Sequence, residues 1–115
     1  MADIDPTVTD PELYRVVFEN ARVRVLEYRD RAGDTTHPHA HPDSVMVTLS
    51  AFQRRVSSGD RQADIALGAG EVRWVGAQQH YGENVGTTDT HAIFIELKEV
   101  DPAAALASEA PLGPA

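Results

Sequence analysis

Residues 71–98 read EVRWVGAQQHYGENVGTTDTHAIFIELK. Glu71–Val75, Gln78–Val85 and Thr90–Glu99 are short runs in which apolar and polar residues alternate, and the turn Gly86-Thr87-Thr88-Asp89 separates the last two. Alternation with a period of two is the mark of a strand with one buried face. The same rhythm continues upstream, in Tyr14–Glu19, Arg22–Arg29, Ser44–Ser50, Phe52–Ser57 and Arg61–Leu67. Ser58-Gly59-Asp60 and Gly68-Ala69-Gly70 supply turns between the later members, using residues suited to tight reversals. No segment of this core carries a sustained 3.6-residue apolar period. About eight short strands in so small a chain predict an all-β sandwich or barrel.

Composition sets the outer bounds. The 115 residues, 42% of them hydrophobic, suffice for one domain. Residues 1–11 are acidic with two prolines, and 101–115 are rich in alanine and proline, so both read as frayed tails around a core at 12–100. Cysteine is absent, which excludes disulfides, thiolate metal sites and thiol nucleophiles. Ten basic against eighteen acidic residues give a net charge of −8, and Arg54–Arg55 is the one basic pair. Such a surface repels a phosphate backbone, so no nucleic-acid partner is expected. No apolar run approaches the roughly 20 residues of a membrane span, and no secretory signal is evident, so no membrane partner and a cytoplasmic location are expected.

The chemistry lies in the histidines. Three of five, His37, His39 and His41, fall in HPHAH, and His80 and His91 lie downstream. In extended chain, side chains two residues apart share a face, so His39 and His41 can converge on one metal ion, with His80 as a third ligand from another strand. The plainer alternative is a set of polar loop histidines leading into a strand.

Gly33-x5-His39-x-His41, followed by Gly70 and His80-x3-Asn84, resembles the two motifs of the cupin superfamily, the double-stranded β-helix or jelly-roll barrels. The resemblance covers residues 22–98. It implies that His39, His41 and His80 hold one divalent ion (Fe, Mn, Ni or Zn) inside the barrel, and that the chain pairs as a homodimer. The sequence departs from the pattern at the motif's carboxylate, where Val45 and Met46 stand, at the motif's closing glycine, where Ser50-Ala51 stand, and at Gly76 and Gln78. Three neutral ligands leave the full charge on the metal and open positions for water or a small-molecule ligand.

The remaining polar residues admit plainer readings. His37 matches no motif position, Asp43 reads as a turn residue or as an acceptor for an imidazole, and His91 reads as a buried, hydrogen-bonded structural histidine. Asn84 suits a structural hydrogen bond at a turn, and Trp74 reads as core. Tyr81 and Glu83 either line the pocket or face water, while Arg55 and Arg73 are solvated strand residues unless parity turns one inward. Two functions fit. One is a metal-dependent dioxygenase, isomerase or lyase on a small carboxylate or carbonyl metabolite; the other is a non-catalytic small-molecule-binding module.

Overall fold

The computed structural model describes residues 5–98 and residue 112. Among them a short helix, α1 (Pro6–Thr9), precedes nine strands: β1 (Tyr14–Glu19), β2 (Val23–Asp30), β3 (His39–His41), β4 (Ser44–Thr48), β5 (Phe52–Ser58), β6 (Arg61–Leu67), β7 (Val72–Val75), β8 (Gln78–Asn84) and β9 (Thr90–Leu97). Each of the eight expected strands is present. The ninth is β3, whose three residues the sequence marks as a histidine motif rather than a strand.

Two antiparallel sheets face each other, β1-β2-β9-β4-β7 and β3-β8-β5-β6. The hairpin joining β5 to β6 turns in two residues, Gly59-Asp60, between the paired Ser58 and Arg61, with Gly59 at φ 61°. A positive φ at the first central position is what such a hairpin needs and glycine accepts without strain.

Between the sheets, Leu26, Tyr28, Met46, Ala92 and Phe94 from the five-stranded sheet meet Phe52 from the four-stranded one, with Tyr14 and Val75 completing the cluster. Burying this surface, at roughly 25 cal/mol per Å² removed from water, is the main stabilising term. The burial alternation corrects two expectations. In β9 the buried positions are Thr90, Ala92, Phe94 and Glu96, while His91, Ile93, Ile95 and Leu97 face outward and are half-buried. Trp74, expected in the core, is 44% exposed on the outer face. Register extends that face into one apolar row, Phe18 opposite Val25, Val25 opposite Ile95, Ile95 opposite Val45 and Val45 opposite Trp74, since directly opposed residues share a face.

The N-terminal segment also differs from expectation. Asp5 caps α1 by accepting from the Thr7 amide at 2.8 Å, Pro6 occupies the first turn and is buried, and Asp10 is buried. Pro at the helix start and Asp at its cap suit those positions, but the segment is too short for periodicity to reveal it. The expected tail at 101–115 lies outside the described residues except at 112.

Candidate metal centre

β3 and β8 build the histidine cluster. His39 sits directly opposite His80 in their register, and His41, two residues along β3, shares its face. Ring centroids are 4.7 Å apart for His39 and His41, 5.0 Å for His39 and His80, and 5.1 Å for His41 and His80. One ring nitrogen from each lies within 4.8 Å of the other two. Pro38 and Pro42 bracket the strand and fix its entry and exit.

Each imidazole is oriented through Nδ1. His39 Nδ1 is 2.8 Å from the His37 carbonyl oxygen, His80 Nδ1 is 2.7 Å from Gln78 Oε1, and His41 Nδ1 is 3.3 Å from Glu96 Oε2. These acceptors hold the proton on Nδ1 and leave Nε2 of each ring for a ligand, the arrangement that supports metal-binding histidines. His39 Nε2 is buried and has no hydrogen-bond partner. An orphaned buried imidazole nitrogen facing two others is costly unless something occupies the space between them. Burial, helped by the His41 ring, lowers the His39 pKa to about 4, and burial with the His41 and His39 rings lowers that of His80 to about 2. Both are therefore neutral at physiological pH, as ligation requires. The donor set fits a divalent ion.

The adjoining cavity of about 40 Å³ is lined by His39, His80, Tyr14, Tyr28, Arg54 and Gly82 together with two threonines and apolar side chains. Burial raises the pKa of the Tyr14 and Tyr28 hydroxyls, so both stay protonated. Met46 lines the cavity where the family pattern has its carboxylate, whereas Val45 points to the outer face. A carboxylate enters one step back: Glu96, buried, bridges His41 Nδ1 and Arg24 Nε, the latter at 2.8 Å, and Arg24 pairs with Asp5 at 2.9 Å. The N-terminal segment supports a second ligand through Asp10, which accepts from the His37 amide at 2.9 Å and lies 2.9 Å from His37 Nδ1.

The other expected residues fall as follows. His37 is largely exposed, outside the cluster, and contributes its carbonyl. Asp43 is a turn residue, accepting from the Ala77 amide at 2.8 Å. His91 is hydrogen-bonded as expected, at 2.7 Å to Glu27, but only half-buried. Asn84 is buried and its amide donates to Asp30 at 2.9 Å and to the Thr88 carbonyl at 2.8 Å. Tyr81 and Glu83 face water. Arg55 pairs with Asp64 at 2.8 Å and Arg73 with Glu71, both outside the cavity.

The sequence reading missed Arg54, Asp30 and Glu96. Parity between the apolar Phe52 and Val56 was the available signal for Arg54. No local signal marks Glu96, because Ile93 and Ile95 make the opposite face of β9 look like the buried one.

No family model matches the chain, and no curated protein does. Solved structures do. A cupin domain from Bordetella pertussis Tohama I aligns at 25% identity over 76% of this chain and 93% of its own, with a TM-score of 0.70. The polyketide cyclase RemF from Streptomyces resistomycificus aligns at 16% identity over 77% of this chain and 66% of its own, TM-score 0.56. KdgF from a Halomonas species aligns at 16% identity over 78% and 81%, TM-score 0.52. With two facing antiparallel sheets and three histidines gathered between β3 and β8, the chain is a cupin-superfamily domain, a double-stranded β-helix.

Proposed function

We propose that this cupin binds one divalent metal ion through His39, His41 and His80 and acts on, or holds, a small carboxylate or carbonyl compound in the adjoining cavity. The observation that carries the reading is the convergence of three imidazoles whose Nδ1 atoms are all engaged, one with a buried, orphaned Nε2. When bound, the ion would supply Lewis acidity or a redox centre. The chain's own residues do the rest. Gln78, the His37 carbonyl and Glu96 orient the rings, Phe94 stacks on His41 with centroids 5.4 Å apart, and the protonated tyrosine hydroxyls can donate but not accept a proton from substrate at neutral pH. The cavity lining includes no carboxylate among the described residues. That favours, as the second reading, a binding module without its own general base.

Elemental analysis of protein purified without added metal tests the site. Stoichiometric metal is expected, and H39A and H80A should each lower affinity by more than about 100-fold, since each removes one of three ligands. Equal metal content in these variants and the parent would overturn the proposal.

The reading includes a two-fold homodimer formed through the apolar outer row from Phe18 to Trp74. An exposed sheet face of this kind is characteristic of an association surface. Light scattering at micromolar concentration should give twice the chain mass; the mass of one chain would refute it.

A further inference from the structure

Tyr14 carries the one polar side chain of the cavity lining that makes no hydrogen bond among the described residues. The other hydroxyls there are engaged. Tyr28 donates to Asp30 at 2.5 Å, Thr36 Oγ accepts from the Gly82 amide at 2.9 Å, and Thr90 Oγ accepts from Asn84 Nδ2 at 3.3 Å. Arg54 donates to Asp30, and the two histidines of the lining are held through Nδ1. Tyr14 is 5% exposed, and a phenol so deep in a protein ordinarily has a partner for its hydroxyl. Phenylalanine would fill the same apolar place without the cost of an unpaired polar group.

The fold brings this hydroxyl to the histidines. Tyr14 opens β1 as its one buried residue and faces Tyr28 in the register with β2, so the two share the inner face. Asp10 ties it to the histidine segment: the Asp10 carbonyl accepts from the Tyr14 amide at 3.0 Å, while the Asp10 carboxylate holds His37. The Tyr14 ring lies against His39 and His41, with centroids 5.5 Å and 5.9 Å away, and against Tyr28 at 4.6 Å. Unlike His39 Nε2, its oxygen is not sealed in by protein atoms, and the open space that Tyr14 borders is the cavity it shares with His39 and His80. Burial is the largest influence on the hydroxyl, and of the charges around it that of Arg54, another lining residue, acts most strongly. A volume of about 40 Å³ corresponds to roughly three waters, at about 10–15 Å³ each, which limits a ligand to a few non-hydrogen atoms.

We infer that Tyr14 is the ligand-contacting donor of this site: its hydroxyl donates to an oxygen of the small carboxylate or carbonyl compound held in the cavity, and so selects ligands that carry an acceptor. This rests on the metal-site reading and deepens it, because it names the residue that discriminates among ligands there.

Calorimetric titration of metal-free and zinc-loaded full-length protein with acetate, together with a ¹³C spectrum of protein labelled at tyrosine Cζ, tests this. The chain has three tyrosines, Tyr14, Tyr28 and Tyr81, and Y14F and Y81F assign their resonances. The Tyr14 resonance should shift as acetate binds, while that of Tyr81, which faces water, stays in place. Y14F should bind acetate about tenfold more weakly, as expected for losing one hydrogen bond to a charged acceptor. It should keep the parent's zinc affinity and urea midpoint, because the hydroxyl it loses bonds to nothing in the free protein. Unchanged acetate affinity in folded Y14F, or a Tyr14 resonance unmoved at saturating acetate, would overturn the inference even if zinc binds. A parent that binds acetate in neither form would overturn it as well. A shifted Tyr14 resonance and weakened acetate binding by Y14F, in protein that takes up no zinc, would uphold the donor while refuting the metal site. If Y14F fails to fold, the Tyr14 resonance of the parent, recognised by the proximity of its ring to that of His39, still decides.

Discussion

The two faces of the five-stranded sheet carry opposite chemistry. Its inner face buries Asp30, Ser44, Thr48, Thr90 and Glu96 among Leu26, Tyr28, Met46 and Phe94. Its outer face lines up Phe18, Val25, Ile95, Val45 and Trp74, with Phe18 and Trp74 about half exposed. A monomer built only to fold would put these the other way round, because buried polar groups need partners and exposed apolar ones gain nothing. The inner face tolerates its polar residues because nearly all are hydrogen-bonded. Among the described residues its one buried side-chain atom without a partner is Ser44 Oγ, and the facing sheet adds His39 Nε2, an atom of the proposed metal site. The outer face has the exposed apolar character that the proposed homodimer would cover. Function here is read from where polarity violates the ordinary pattern.

The contrast can be broken most forcefully from inside. Arg54→Met removes the partner of the buried Asp30 and should cost about 3–5 kcal/mol, the usual penalty for stranding one half of a buried pair. Urea denaturation measures it, and a loss below 1 kcal/mol would mean that Asp30 is adequately held by Tyr28, Asn84 and Thr90 alone.

Acid should come next. His39 falls from 6.5 in the unfolded chain to about 4 in the folded one. Between those values the unfolded chain binds the extra proton, so stability is full above about pH 6.5 and declines as pH falls toward 4. His80, lowered further to about 2, extends the decline in the same direction. The His39 shift alone is worth about 3 kcal/mol at 1.36 kcal/mol per unit. Denaturant midpoints at pH 7, 5.5 and 4 test this, and H39Q should flatten the curve.

The smallest and sharpest comparison uses neighbours on β4. Met46→Glu places a carboxylate in the cavity: it should lower metal-free stability by about 2 kcal/mol and raise metal affinity about tenfold. Val45→Glu places the same group on the outer row: it should leave metal affinity unchanged and shift the proposed dimer toward monomer. Metal titration and light scattering on both variants separate the faces, and identical behaviour would erase the distinction.

Much of this was legible in the sequence, and unevenly so. The strands were readable because alternation is a local property, and the histidine cluster because His39-x-His41 needs only an extended chain and one opposing residue. Parity told which residues of β9 share a face but not which face is inside; that depends on what packs across the barrel. Trp74 and His91 therefore looked buried. Glu96 and Asp30 depend on contacts across 55 and 24 positions, to His41 and Arg54, and no short window contains them. Asp5 and Asp10 looked like tail because four helical residues carry no period.

Those N-terminal contacts bear on the order in which the molecule assembles. His41 is steadied by Glu96, Glu96 by Arg24 and Arg24 by Asp5, so this support joins chain positions 5 and 96. His39 and His80 are paired by the β3–β8 ladder, a shorter closure. Contacts between distant chain segments carry the greater loop-closure entropy and tend to form late. A nascent or refolding chain would then acquire two imidazoles in place before the third is locked, and would grip an ion firmly only once β2, β9 and α1 had docked. Metal capture would in that case report completion of folding rather than initiate it.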